Sequence, residues 1–133
     1  MTPIRRLAAT LRDPRLAGNF GARQWNALIA VARAERLIGA LAVRLEGRGL
    51  PVEVEAVLAD ARRSSEQERR AALWEADCCR RALKDYHGKA VLLKGTAYVA
   101  ANMDAGAGRS IGDLDILVAE KDLDEVEKAL LAA

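Results

Sequence analysis

The sequence predicts an α+β fold, an N-terminal helical bundle followed by the beginning of a small αβ sheet. Three observations lead there. Up to residue 88, apolar residues recur at helical spacing between Gly and Pro interruptions. From residue 90 to 118, two short apolar runs, AVLL and LDILV, replace that periodicity. With 51% hydrophobic and 30% charged residues in 133, the chain has a globular composition and enough length for a core. Only five residues are aromatic, and alanine is abundant, which favours helices. The break at Gly88 divides the chain into a helical region, 1–88, and a partial αβ core, 89–133.

Thr2 and Pro3 read as an N-cap and a first helical residue, and Ile4, Leu7, Ala8 and Leu11 then mark an amphipathic helix. Asp13-Pro14 and the glycines at 18 and 21 interrupt it. A second helix over 22–34 carries Trp25, Leu28, Ile29 and Ala32 on one stripe, and a third over 35–46 carries Leu37, Ile38, Leu41 and Leu45. Helices this short are stable only when packed on one another. No Gly or Pro occurs from Val52 to His87, so one long helix is expected, about 54 Å at 1.5 Å per residue. Its stripe includes Val54, Leu58, Ala72, Cys79 and Leu83, with Trp74 off the stripe and Gly88 as the residue that closes it. His87 reads as a surface group at the helix end. A strand over 90–93, a helix over 97–103 and a last helix over 121–131 complete the chain. Leu123, Val126, Ala129 and Leu130 form the packing face of that last helix.

The chemistry concentrates at the two apolar runs. The first ends in Lys94-Gly95-Thr96, where Gly95 permits a tight turn and the helix that follows presents free N–H groups suited to a phosphate. The second contains Asp113 and Asp115, one apolar residue apart. On a strand, residues i and i+2 share a face, so both carboxylates project together while Leu114, Ile116 and Val118 turn inward. Two adjacent carboxylates suit a hard cation such as Mg²⁺, which is usually held by one or two carboxylates plus substrate phosphates. The bland alternatives are a plain strand–turn–helix connection and two aspartates that cap a turn. A P-loop is excluded because its first glycine is missing, and an EF-hand because its glycine and terminal Glu are missing. The segment 104–112, rich in Gly and holding Arg109, reads as a flexible loop able to close over a nucleotide.

Taken together, Leu93-Lys94-Gly95-Thr96, the loop, and Arg109-Ser110-Ile111-Gly112-Asp113-Leu114-Asp115-Ile116-Leu117-Val118 resemble the nucleotidyltransferase superfamily. The Lys before the Gly, the Arg four residues ahead of the first Asp and the long helical lead-in resemble its bacterial "uncharacterised nucleotidyltransferase" branch. The motif covers 90–133, and the helices match only in general pattern. Thr96 stands where the superfamily usually has Gly or Ser. The superfamily's third carboxylate lies on a later strand, and this chain ends at Ala133 before one. The resemblance implies transfer of an NMP group from a nucleoside triphosphate to an unidentified acceptor. Asp113 and Asp115 are then the catalytic, metal-holding pair, with Mg²⁺ or Mn²⁺ as cofactor. Gly95 and Thr96, including the Thr96 hydroxyl, would cradle the β- and γ-phosphates, and Lys94 and Arg109 are candidates for further phosphate or substrate contacts. It also implies an N-terminal fragment of a longer enzyme, since two strands leave a sheet edge unpaired.

Charge and cysteine usage narrow the partners. The net charge of +2 is uneven: residues 1–89 carry 17 basic and 11 acidic groups, and the remainder 4 and 8. The basic helical part is compatible with nucleic acid, but arginines interleaved with glutamates are ordinary solvated faces, and no aromatic-plus-basic cluster accompanies them. Adjacent Cys78 and Cys79 make neither a disulfide framework nor a zinc site. No apolar run is long enough for a membrane span and no secretory signal is visible, so a cytoplasmic location is expected. The rival class is a non-catalytic module, in which the helices bind a protein partner and the sheet region only senses nucleotide or serves as scaffold.

Overall fold

The computed structural model describes residues 1–133, and its helices and single small sheet make it α+β. Helix α1, Pro3–Arg12, starts where Thr2 accepts the Arg5 N–H at 3.4 Å, a side-chain cap with proline in the first turn. Its inward face is Leu7 and Thr10, whereas Ile4 is exposed. Asp13 ends it and then caps a 3₁₀ helix, Pro14–Asn19, accepting both the Arg15 N–H at 3.2 Å and its guanidinium at 2.8 and 3.0 Å. Helix α2, Ala22–Ala34, has the expected bounds, and it buries Trp25, Leu28 and Ala32.

The third helix is shorter than its periodicity suggests. Arg36 takes a left-handed conformation at φ 57°, the Arg36 N–H bonds to Arg33 O at 3.0 Å and the Leu37 N–H to Ala32 O at 2.7 Å. This paired closure is the Schellman motif, here with Arg where glycine is usual. Helix α3 therefore spans Ile38–Arg44. Helix α4, Val52–Ala82, is continuous over 31 residues, as the absence of Gly and Pro requires. It stops six residues ahead of Gly88, which is not its closing residue. The chain turns after Leu83, whose side chain is buried, and the Tyr86 hydroxyl donates to Asp122 at 2.8 Å. Trp74 is 68% exposed, off the buried stripe as expected.

The chain divides into two compact units. The first comprises Met1–Gln67 and Ala107–Ser110, the second Glu68–Gly106 and Ile111–Ala133, so α4 contributes its two halves to different units. In the first unit, Leu7, Trp25, Leu28, Leu41, Leu45 and Leu58 form the core. Burying a Leu side chain contributes about 1.5–3 kcal/mol, so this cluster supplies most of what holds the short helices. Arg62 is only 17% exposed by side chain; it donates to Ala42 O at 2.8 Å and pairs with Glu55. That satisfies a carbonyl near the end of α3.

The second unit holds the sheet. Strand β1, Val91–Leu93, pairs antiparallel with β2, Asp115–Leu117, in the register Val91↔Leu117, Leu92↔Ile116, Leu93↔Asp115. Opposed residues share a face, so Leu92 and Ile116 look one way while Leu93 and Asp115 look the other. The first face borders a cavity lined also by Leu73 and Ala76 of α4 and by Leu83 just past its end. Helix α5, Lys94–Ala100, follows β1 without a loop. A second Schellman closure, with Asn102 left-handed at φ 52° and the Met103 N–H on Tyr98 O at 2.9 Å, ends it before residue 103. Helix α6, Leu123–Leu131, buries Val126, while Leu123 and Leu130 of the expected packing face are exposed.

Candidate active site at the β1–α5 turn

The turn between β1 and α5 is made by Lys94, not by Gly95. Lys94 is left-handed at φ 55°, and Gly95 is an ordinary residue of the first helical turn. A non-glycine residue in this conformation costs about 1–2 kcal/mol. Helix α5 accordingly begins at Lys94, three residues earlier than the spacing suggests. Gly95 and Thr96 are both buried, Thr96 to 1% exposure, whereas Lys94 is exposed.

Because Leu93 lies opposite Asp115, the next residue brings its amine to that carboxylate. Lys94 Nζ stands 3.1 Å from Asp115 Oδ2, with side chains 70% and 39% exposed. An ion pair this open contributes about 0.2–1 kcal/mol. Its importance is positional, since the sheet register brings a positive charge to the carboxylate expected to hold a metal. The ladder reaches back only to Asp115. Asp113 lies two residues ahead of the strand and is exposed, so strand alternation fixes the face of Asp115 alone. Leu114, Ile116 and Val118 are half-buried and Leu117 is exposed, but Asp115 is half-buried as well, so burial alternates only from Ile116 to Val118.

The approach to Asp113 is anchored rather than loose. In the second unit, Glu68 Oε2 accepts the Ile111 N–H at 2.9 Å. In the first unit, Ser110 accepts from the Arg36 guanidinium at 2.9 Å, and Gly108, at φ 71°, packs backbone to backbone on Gly39. A Cβ at Gly108 would meet the Ala40 nitrogen at 2.7 Å. Gly106 is buried, and a Cβ there would sit 3.0 Å from the backbone at Tyr98 and Val99. These contacts hold the segment expected to be a flexible loop. Arg109 is exposed and falls in the first unit, while Lys94, Gly95, Thr96, Asp113 and Asp115 all fall in the second.

Glu68 is the residue that sequence reading overlooks. It sits in the polar middle of α4, where an acid reads as a solvated face, and its partner is 43 residues away. No local signal marks it.

The donor chemistry, carboxylate oxygens, is the kind a divalent cation takes, and the sheet positions Asp115 alone among them. Asp115 already carries a cationic group, the Lys94 ammonium, and carboxylate oxygens are the hard ligands Mg²⁺ and Mn²⁺ take. No group of three or more His, Cys, Asp or Glu side chains gathers in a metal-holding arrangement.

These features define an α+β domain in which a strand–helix turn sets a lysine against an aspartate of the neighbouring strand. The chain belongs to the uncharacterised nucleotidyltransferase family, whose model matches residues 21–133. The match reaches well ahead of the motif segment, taking in α2, α3 and α4. No curated protein and no solved structure matches the chain. No helix is long and apolar enough to cross a membrane.

Proposed function

We propose that this domain is a metal-dependent nucleotidyltransferase that moves an NMP group from a nucleoside triphosphate to an acceptor. The observation that supports this most directly is the Lys94–Asp115 pair between the start of α5 and β2, inside the segment matched by the family. Asp113 and Asp115 would supply oxygen ligands to Mg²⁺ or Mn²⁺. A bound divalent ion supplies Lewis acidity, neutralising charge on the transferred phosphoryl group. Lys94 is exposed, so its amine can meet a phosphate oxygen. Lysine suits this role as a compact point charge on a flexible stem. Gly95 and Thr96 are buried, so a phosphate cradle built from them requires the first turn of α5 to become accessible. The Glu68–Ile111 contact would steady the chain leading to Asp113, which limits the reorganisation needed when charge is bound.

The test is calorimetric titration of nucleoside triphosphates into the chain, with Mg²⁺ and with chelator, and into Asp113→Asn/Asp115→Asn. Binding that needs metal and disappears in the double variant is the expected result. A folded wild-type chain that binds no triphosphate under either condition would refute the proposal and turn attention to a helical interaction module.

A further inference from the structure

We infer that Lys94 is an exchangeable counter-ion for Asp115: a divalent cation displaces its ammonium from the carboxylate, and the released ammonium then serves the triphosphate. This deepens the metal and nucleotide reading above and rests on it. Three features of the structure carry it.

The first is occupancy. Lys94 Nζ, 3.1 Å from Asp115 Oδ2, takes up one oxygen of the carboxylate and offsets its charge. A metal ion and an ammonium cannot share that position, because like charges a few ångströms apart repel. The second is exchangeability. With side chains 70% and 39% exposed, both partners remain solvated, so little is lost when they part. The third is tethering. The left-handed backbone of Lys94 and the Leu93↔Asp115 register hold its Cα at the end of β1 whichever partner the amine takes. Only the side chain has to swing.

The consequence is a coupling between two ligands. A cation alone must compete with Lys94, and a triphosphate alone must draw Lys94 away from a carboxylate left uncompensated. When both arrive, each takes up the charge the other exposes, so each raises the affinity of the other by the same factor. The coupling is built into two residues and needs no movement of the backbone.

The experiment compares wild type with Lys94→Met, using Asp115→Asn as the control for the site. Mn²⁺ alone is titrated by calorimetry, and inorganic triphosphate is titrated separately in chelator. Lys94→Met should bind Mn²⁺ about two- to fivefold more tightly, the factor equivalent to one exposed ion pair, and should bind triphosphate more weakly. Lys94→Gly, which accepts a positive φ readily, should behave the same way if the methionine variant folds poorly. A wild-type readout stands beside these: the Lys94 ammonium resonance should shift when Mg²⁺ is added without nucleotide. Mn²⁺ binding that Asp115→Asn abolishes but Lys94→Met leaves unchanged or weakens would overturn the exchange while leaving the metal site intact. Absence of Mn²⁺ binding in wild type and both Lys94 variants would overturn the proposed function along with it.

Discussion

Replacing Gly39 by alanine sets two physical effects against each other, and the structure decides between them. Gly39 lies in α3, where alanine should help by up to about 1 kcal/mol on helix propensity alone. A Cβ there would lie 3.3 Å from the Gly108 carbonyl carbon and 3.4 Å from Ser65 Cβ, and it would collide with the Gly108 oxygen itself. The obstructing atom belongs to backbone, so no rotamer change relieves it. Forcing an extra methyl into packed structure costs about 1–3 kcal/mol. The clash should outweigh the propensity gain, leaving Gly39→Ala destabilised by about 1–2 kcal/mol. Gly18→Ala is the counterpart. No atom lies within 4 Å of a Cβ at Gly18 and its φ is not positive, so it should gain about 0.4–1 kcal/mol through the unfolded state. Urea denaturation followed by circular dichroism gives both values, with the slope expected to stay constant. The double variant with Gly108→Ala should cost less than the sum of the singles, because both disturb one contact. A Gly39→Ala chain more stable than wild type would show that Gly108 does not rest on α3 and would refute the account of the docked segment.

Other outcomes follow from the same contacts. Leu58 is fully buried in the first unit, so Leu58→Ala should cost about 2–5 kcal/mol, read from the urea midpoint. Glu68→Ala leaves the Ile111 N–H without its acceptor and should cost about 1–3 kcal/mol, whereas Glu68→Gln keeps an acceptor oxygen and should cost less; amide exchange at Ile111 should accelerate in the alanine variant first. The Tyr86 phenol is held above its ordinary range chiefly by its hydrogen bond to Asp122, with burial and the nearby carboxylate charge adding. A raised folded value means that this contribution is fully present below about pH 10 and is lost as pH rises through the folded value. Melting temperatures from neutral to alkaline pH should therefore converge between wild type and Tyr86→Phe, with wild type the more stable at neutral pH. Curves that stay parallel across that range would show that the Tyr86–Asp122 bond contributes nothing.

What the sequence determined by itself was the material available to each segment. Thr2-Pro3 starts α1, the stripe of Trp25, Leu28 and Ala32 marks α2, and a stretch free of Gly and Pro yields one long α4. The family was legible from Lys94-Gly95-Thr96 and Asp113-Leu114-Asp115, and the family match supports it over a longer span. These are local signals, carried by neighbours within a few residues, and they survive without knowledge of the fold. The tertiary structure decided where helices stop and which charges meet. Arg36 closes α2 in a left-handed conformation that its residue type does not announce, and α4 ends at Ala82, with the chain turning past buried Leu83 and Tyr86 reaching Asp122. Likewise Lys94, rather than Gly95, makes the bend, and Asp113 stays outside the ladder that orients Asp115. Glu68 on Ile111, Gly39 on Gly108 and Lys94 on Asp115 all join residues far apart in the chain. Periodicity and capping describe how a segment satisfies its own backbone; pairing between distant segments depends on strand register and close packing, which exist only once the chain has folded.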